Sequence, residues 1–344
     1  MIIPKNLTSL VADKIRLAQT GLAYDEVILG DTNVPVLKNE YLLFLKPEIT
    51  MPSDSIRLEP VIDLILEQMD AFGFVIHDVR ILAASYLEAF NLIDQHYGVI
   101  SLVSNQGLNA MTDGAKERFR DVYGVEADAS NVLGGMEFLR KYPFFNFHSL
   151  DCMWQNSENL KLASGTYVEK LRIDQETVYV LNAFHPKQLR HFTEPGRSIV
   201  LFNISGDRPW KEARESFAGA TDPRKASEGS LRRLLMERKD EFGIPEISQS
   251  FNGIHLSAGP VEALIELHRF DSDHSSPVGE ADFKDFSFGK ELIRTFGAIP
   301  EALLNNETLV VDGKSITVFD LTENLDSNDA LLLLQKSIIK TRHF

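Results

Sequence analysis

Apolar runs of strand length alternate along this chain with segments of helical spacing, and this order limits the folds that the chain can adopt. Buried-type strands are indicated at residues 40–50, 74–82 and 198–204, and a short fourth one precedes a helix that opens at Gly259. Each strand is followed by a helix. This order, resumed after an irregular middle, predicts an α+β fold: a ferredoxin-like α/β sandwich with a four-stranded antiparallel sheet covered by helices.

Helix and strand boundaries are marked by residues with special backbone preferences. Pro47 ends the first strand, since proline cannot donate a hydrogen bond to a sheet ladder. Helical spacing over 58–72 stops at Gly73, a typical C-terminal residue. Capping-box spacing opens a further helix over about 85–97, and 207–219 is predicted as a helix with an aspartate at its capping position.

The clear pattern lapses between about residues 100 and 183, which indicates an inserted subdomain. Within it we expect a helix near 113–122 and strands at 166–173 and 177–181. Near the C-terminus a hairpin turning at Asp312-Gly313 is predicted, with a final helix after it. The expected segments are an N-terminal extension (1–39), the first part of the sandwich (40–100), the insertion (101–183), the second part of the sandwich (184–273) and a C-terminal extension (274–344).

Charge and composition narrow the classes of partner. The 344-residue chain carries a formal net charge of −15, and an acidic field of that size repels the phosphate backbone of nucleic acids. A local cluster of Lys and Arg could still bind a small phosphorylated ligand. No run approaches the roughly 20 apolar residues of a membrane span, so no membrane partner is expected. With Cys152 as its single cysteine, the chain can form no internal disulfide, and we expect a cytoplasmic protein.

Four separated stretches carry a family resemblance through their joint order and spacing. They are "LFLKPEIT" (43–50), "HYG" (96–98), "AGATDPRKASEGSLR" (218–232) and "NGIHLS" (252–257). In this order they resemble the first strand, the His-Tyr pair, the nucleotide-binding loop and the active-site strand of nucleoside diphosphate kinases. The resemblance covers roughly residues 40–100 and 184–271, and it implies a kinase domain interrupted by a long insertion.

The resemblance implies a set of catalytic residues around one histidine. His255 would be the nucleophile, Glu266 would hold the other ring nitrogen, and Ser257 would assist the oxygen at the cleaved bond. Lys46 and Tyr97 would contact the transferring phosphate and the sugar. An imidazole suits this role because its pKa lies near neutrality, so an adequate fraction is unprotonated at working pH. By its helical spacing, Tyr97 equally fits a core position.

The resemblance also implies residues that bind the nucleotide. They are Phe184, Arg214, Thr221, Arg232 and Asn252. Phe184 would stack on the base, the two arginines and the threonine would grip phosphates, and the asparagine would bind the ribose. The "YPFF" stretch at 142–145 is the alternative to Phe184, which we prefer for its distance from the strand at 198.

Two departures from the family pattern bear on activity. Arg214 precedes Thr221 by one residue more than the family pattern, so either the connection absorbs a residue or the arginine is not equivalent. Leu256 replaces the glycine after the histidine, where a bulky side chain could crowd the phosphate. The alternative function is therefore a catalytically weak or inactive nucleotide-binding regulatory protein with a kinase-like fold.

The resemblance implies one leading function. The chain would transfer the terminal phosphate of a nucleoside triphosphate to a nucleoside diphosphate through a phosphohistidine at His255, with ping-pong kinetics. Mg²⁺ would arrive on the nucleotide phosphates, and no resident metal site is expected. We further expect a homo-oligomer, and we expect the insertion to alter base selectivity or assembly.

Overall fold

The computed structural model describes residues 6–30 and 34–341, so parts of both expected extensions lie outside the described residues. The chain divides into two compact units, the first made of Met1–Tyr86 and Pro195–Phe344 and the second of Leu87–Glu194. The fold is mixed α/β, and all of its strand pairs are antiparallel in the described chain except one in the second unit. Within the described ranges, no helix is both long enough and apolar enough to cross a lipid bilayer.

The longest strands of the described chain have nine residues, and its longest helices have 15. The strands are β1 Asp25–Leu29, β2 Asn39–Leu45, β3 Val75–Ala83, β4 Val132–Gly134, β5 Asn159–Ala163, β6 Thr166–Ile173, β7 Glu176–Leu181, β8 Ser198–Gly206, β9 Ile254–Leu256, β10 Thr308–Val311 and β11 Lys314–Thr317. The α-helices are Leu7–Gln19, Pro47–Thr50, Leu58–Phe72, Ala84–Ala89, Leu92–Tyr97, Val99–Gln106, Asp113–Tyr123, Gly135–Lys141, Phe147–Asn156, His185–Thr193, Trp210–Glu212, Leu231–Glu237, Lys239–Phe242, Pro260–Asp271, Ser287–Phe296, Glu301–Leu304, Val318–Thr322 and Ser327–Thr341. Gly107–Ala110, Pro223–Lys225 and Phe283–Asp285 are 3₁₀ turns, and Ala213–Ala218 is π-helical.

The first unit contains a sheet with the order β1-β3-β8-β2-β9, antiparallel throughout. Four of its strands are the predicted ones, but the prediction of a four-stranded sheet was wrong for the described chain because β1 pairs along the far side of β3. β1 comes from the segment that we expected to lie outside the sandwich. Its five residues, DEVIL, begin with two acids and are only partly buried, so their pattern gave no strand signal.

β2 lies inside the sheet, and both of its faces are covered. Tyr41, Leu43 and Leu45 point into the main core of the first unit, which also contains residues of the helices Leu7–Gln19 and Leu58–Phe72. Phe44 lies on the opposite face, with its ring centroid 6.0 Å from that of Phe270. Burial on both faces explains why this strand is almost continuously apolar in sequence.

Two predicted helices differ from the observed ones. The helix expected over 85–97 is broken by Asn91, which has φ 53°, a left-handed conformation that asparagine tolerates better than most residues. The helix expected over 207–219 begins only at Trp210, and it continues as the π-helical turn. The predicted hairpin near the C-terminus is present, with Asp312 and Gly313 both at positive φ.

The second unit has its own sheet and cores. Its sheet has the order β4-β7-β6-β5, in which β4 pairs in parallel with β7 and the other pairs are antiparallel. Phe119 and Tyr179 pack edge to face in one core, with ring centroids 4.8 Å apart. Phe138 and Trp154 belong to the other core. The helix at Asp113–Tyr123 and the strands β6 and β7 lie where the sequence predicted them.

Two glycines that end helices of the first unit give a matched stability test. Gly73 and Gly243 both have positive φ, but a Cβ on Gly243 would lie 1.8 Å from the backbone oxygen of Ser55, whereas nothing lies within 4 Å of a Cβ on Gly73. We expect Gly243→Ala to lower the free energy of unfolding by about 3 kcal/mol or more, and Gly73→Ala by about 1 kcal/mol. Urea unfolding measures both, and equal losses would contradict the close approach at Ser55.

Candidate functional site

The strand that carries His255 is fixed at the edge of the main sheet by backbone pairing and by one buried glutamate. β9 pairs with β2 so that His255 lies opposite Phe44. Just before the strand, the buried carboxylate of Glu48 accepts the N–H of Gly253 at 2.7 Å, and the Lys46 N–H donates to the Gly253 carbonyl at 2.9 Å. The end of β2 therefore sets the position of the histidine.

One buried carboxylate holds both the histidine and the serine. The Nε2 atom of His255 lies 2.9 Å from Oε1 and 3.0 Å from Oε2 of Glu266, and the Ser257 hydroxyl donates to Oε2 at 2.6 Å. Glu266 comes from the apolar face of the helix Pro260–Asp271 and is 2% exposed. A buried carboxylate is tolerated only when it is hydrogen-bonded, and these two partners meet that need.

This geometry assigns the proton on the imidazole ring. A carboxylate can only accept hydrogen bonds, so Nε2 of His255 carries a hydrogen, and in the neutral ring the lone pair is then on Nδ1. The ring stacks on Phe44 with centroids 4.6 Å apart and 23° between planes, and 17% of the side chain is exposed. The arrangement can stabilise positive charge on the ring through Glu266, in the manner of the aspartate of a catalytic triad.

The Ser257 side chain has contacts inside the protein, and its role at the oxygen of the cleaved bond stays a prediction. It is fully buried, and its oxygen also lies 3.2 Å from both the backbone nitrogen and the backbone oxygen of Leu42. Its contacts therefore orient Glu266 and join β9 to β2. The indole N–H of buried Trp210 donates to the Ser257 carbonyl at 3.1 Å, a support that sequence reasoning missed. Trp210 lies in the helix predicted over 207–219, and nothing in that pattern indicated this contact.

The bulk of Leu256, which we expected could crowd the phosphate, is directed away from the histidine. Side chains alternate along a strand, so Leu256 points to the face opposite His255. It is 5% exposed and belongs to the main core of the first unit. The departure from glycine at this position is therefore accounted for by packing.

Two cations lie close to the strand. Burial lowers the pKa of Lys46 to about 8, with Glu48 opposing the shift and the charge of Arg232 adding to it. Burial, followed by the charge of Arg214, lowers the pKa of Arg232 to about 10. Arg232 donates from Nη1 to the Gly219 carbonyl at 2.6 Å and from Nη2 to the Ile254 carbonyl at 3.2 Å. These bonds join the loop after Ala218 to β9.

Arg214 is the second residue of the π-helical turn, and its side chain is held by the C-terminal part of the chain. Its Nη1 lies 2.5 Å from Oε1 of Glu323 and 2.9 Å from the side-chain oxygen of Asn324. The turn closes with the Gly219 N–H donating to the Arg214 carbonyl at 3.0 Å. A π-turn contains one residue more than an α-turn, so this turn can hold an extra residue before Thr221, while the match of Arg214 to the family position stays a prediction.

Asn252, two residues before β9, contacts Thr221, and the contact is made to the backbone of the threonine. The Asn252 side-chain amide donates to the carbonyls of Thr221 and Gln249, both at 3.2 Å. Its oxygen is buried and has no hydrogen-bond partner among the described residues. The Thr221 side chain is exposed. An unpaired buried acceptor is a feature that a hydroxyl-bearing ligand would satisfy.

Tyr97 and Phe184, the remaining predicted site residues, lie in the second unit. The Tyr97 ring meets His185 and Phe192 edge to face, with centroids 6.5 Å and 6.0 Å apart. Phe184 packs against Trp154 and Tyr167, with centroids 5.2 Å and 6.0 Å apart. Their roles at a nucleotide stay predictions, while the other predicted residues all belong to the first unit.

Sequence reasoning also missed an acidic residue on the same helix as Glu266. Glu262 lies one helical turn earlier, and burial together with the charge of Glu266 holds the pKa of its carboxyl well above the usual range, opposed by Arg214. The i, i+4 spacing of two glutamates on the inward side of a helix was the available signal. Glu323 and Asn324 had no local signal at all.

The comparisons with known proteins show a distant relationship. No protein-family model matches the chain. The chain is 27% identical over 158 residues to a nucleoside diphosphate kinase of Nitrosomonas europaea, a match that covers 45% of this chain and 93% of that protein. A crystal structure of an NDP kinase from Pyrobaculum aerophilum aligns with a TM-score of 0.32 at 15% identity, covering 72% of this chain and 100% of that one. The chain is thus distantly similar in sequence to nucleoside diphosphate kinases.

The lowered pKa of Lys46 predicts how the free energy of unfolding changes with pH. Its pKa falls from the ordinary 10.5 to about 8 in the folded protein, so folding releases a proton between these values and stability rises with pH across that window. At pH 7 the folded state carries the whole penalty of the buried charge. We expect Lys46→Met to raise the free energy of unfolding at pH 7 by about 1–3 kcal/mol and to flatten its rise between pH 8 and 10.5.

The matched control is Lys211, whose side chain is 66% exposed. Lys211→Met should change the free energy of unfolding by no more than about 0.5 kcal/mol. Chemical denaturation at a series of pH values measures both variants. A loss of stability in Lys46→Met at pH 7 would contradict the account of a strained buried cation.

Proposed function

We propose that this protein is a nucleoside diphosphate kinase that works through a phosphohistidine at His255. The observation that carries the proposal is the contact of Nε2 with the buried carboxylate of Glu266, which leaves attack to Nδ1. The distant similarity to a nucleoside diphosphate kinase supports it. So does the placement of Lys46 and Arg232 around the strand that carries the histidine.

The reaction divides into two phosphoryl transfers. Nδ1 of His255 attacks the terminal phosphorus of a bound triphosphate, a P–N bond forms, the bond from that phosphorus to its bridging oxygen breaks, and the diphosphate leaves. A second diphosphate then binds, and its terminal oxygen takes the phosphoryl group back from the ring. Glu266 holds the proton on Nε2 and stabilises the positive ring. Lys46 and Arg232 offset negative charge on the phosphates. Because the transition state of phosphoryl transfer is loose, such charge neutralisation and the positioning of the reactants supply most of the catalysis.

The remaining predicted residues have roles in holding the nucleotide. The buried side-chain oxygen of Asn252 would accept a ribose hydroxyl, and Arg214 and Thr221 would contact phosphates. Tyr97 would reach the transferring phosphate and sugar, and Phe184 would stack on the base. Mg²⁺ bound to the nucleotide phosphates would supply further charge neutralisation.

The insertion, which we expected over 101–183, has a proposed role in assembly or in base selectivity. We propose a homo-oligomer whose subunit packing or nucleotide preference depends on this segment. Support comes from residues 101–183, since the sheet β4–β7 and the buried residues of both cores of the second unit lie within this range, which makes it a substantial addition to a kinase domain. Oligomeric mass and the relative use of different diphosphates would report on it.

A nucleotide-binding protein without turnover is the second candidate. One observation favours it: Arg214, an expected phosphate ligand, is paired with Glu323. Calorimetry would then find nucleotide binding, while no phosphate would pass from ATP to a second diphosphate.

The phosphohistidine is tested by labelling. After incubation with γ-labelled ATP, the wild type should carry a phosphate that is labile to acid and stable to alkali, and His255→Ala should carry none. His148→Ala is the control, since that side chain is exposed and lies in the second unit. Equal labelling of the wild type and His255→Ala would end the assignment.

The contribution of the carboxylate can be measured separately. Glu266→Gln keeps the size of the side chain but removes the negative charge that faces Nε2. We expect phosphoryl transfer to slow by about 10- to 100-fold, the usual scale for a group that orients a reactive histidine. Steady-state turnover with nucleotide binding measured alongside would separate this from a loss of affinity. An unchanged rate would contradict the role of Glu266.

A further inference from the structure

A C-terminal segment, residues 322–327, is fastened onto the loop that follows the active-site strand. The Asn324 N–H donates to the Ala258 carbonyl at 2.9 Å. Asp326 accepts the Trp210 N–H at 2.7 Å, and the Ser327 N–H donates to the side chain of Asn39 at 2.9 Å. These contacts tie the segment to the start of β2 and to the helix that leads to Arg214.

The segment 322–327 lies close to the backbone of Gly259, and this approach requires a glycine at that position. A Cβ at that position would lie 2.6 Å from the carbonyl oxygen of Thr322, so the loop has room for the segment only because residue 259 is glycine. Thr322 itself is fully buried. The segment is therefore seated in one place rather than lying loosely on the surface.

The position of this segment places the carboxylate of Glu323 beside Arg214, a cation of the proposed site. Nη1 of Arg214 donates to Oε1 of Glu323 at 2.5 Å and to the side-chain oxygen of Asn324 at 2.9 Å. Arg214 is near enough to Arg232 for its charge to lower the pKa of that residue. An oxygen pair from the C-terminal segment thus meets an arginine beside the strand of His255, in the way that phosphate oxygens meet an arginine.

We propose that Glu323 is an internal competitor for phosphate at Arg214: segment 322–327 stays seated and holds the Glu323 carboxylate as an autoinhibitory contact, and a nucleotide phosphate must displace that carboxylate from Arg214. The inference rests on the proposed function. The Arg214 and Glu323 side chains are 29% and 41% exposed, and an ion pair of this exposure is weak. A phosphate brings more charge than one carboxylate, so it can displace Glu323, and the pair lowers nucleotide affinity without abolishing it.

Calorimetric titration with ADP and Mg²⁺ tests the competition. Glu323→Gln removes the competing charge, and we expect the Kd for ADP to fall about 2- to 5-fold, the scale of an exposed ion pair. Glu307→Gln is the matched control: it removes one exposed charge from the same part of the chain and should leave the Kd unchanged. An unchanged or higher Kd in Glu323→Gln would overturn the inference.

A double-mutant cycle separates competition from a general charge effect. Arg214→Ala removes the group for which the two anions compete, so adding Glu323→Gln to it should give no further gain in affinity. A gain that persists without Arg214 would overturn the inference. If the wild type is labelled at His255 and Glu323→Gln binds no better, the inference fails while the proposed function stands. If no variant binds ADP, both fail.

Discussion

The contact between the buried Glu266 carboxylate and Nε2 of His255 is the interaction on which the site depends. A carboxylate at 2% exposure would destabilise the fold without partners, and the imidazole and the Ser257 hydroxyl supply them. The same contact fixes which ring nitrogen carries the proton. Glu48 and backbone pairing hold β9, which carries His255, to β2. The helix that begins at Pro260 carries Glu266, so these two elements together position the ring and the carboxylate for the contact.

Much of the first unit could be predicted because its elements have strong local signals. β2 is apolar on both faces and ends at a proline, and the helix Leu58–Phe72 ends at a left-handed glycine, as the sequence indicated. β1 was missed because a short, half-buried edge strand has no clear alternation. The break at Asn91 and the π-turn at Ala213–Ala218 depend on single-residue backbone choices, which hydrophobic periodicity does not resolve.

The contacts of the candidate site were likewise predictable only where the residues lie close together in the sequence. His255, Ser257 and Glu266 are within twelve positions of one another, so strand and helix spacing could bring them together. The partners of Arg214 could not be foreseen, since Glu323 and Asn324 lie more than a hundred positions away. The face on which Leu256 packs followed from the register of β9, which sequence alone does not fix. Tyr97 and Phe184 show the limit of position-by-position transfer, because aromatic packing inside the second unit equally explains both.

We infer that Glu266, by holding Nε2 of His255, directs phosphorylation to the other nitrogen of the ring. The most direct measurement is ³¹P NMR of the protein phosphorylated by ATP, with isomeric phosphohistidine standards to identify the nitrogen that carries the phosphorus. We expect a single phosphohistidine with the phosphoryl group on Nδ1 of His255. Phosphorus on Nε2, or on a different residue, would contradict it.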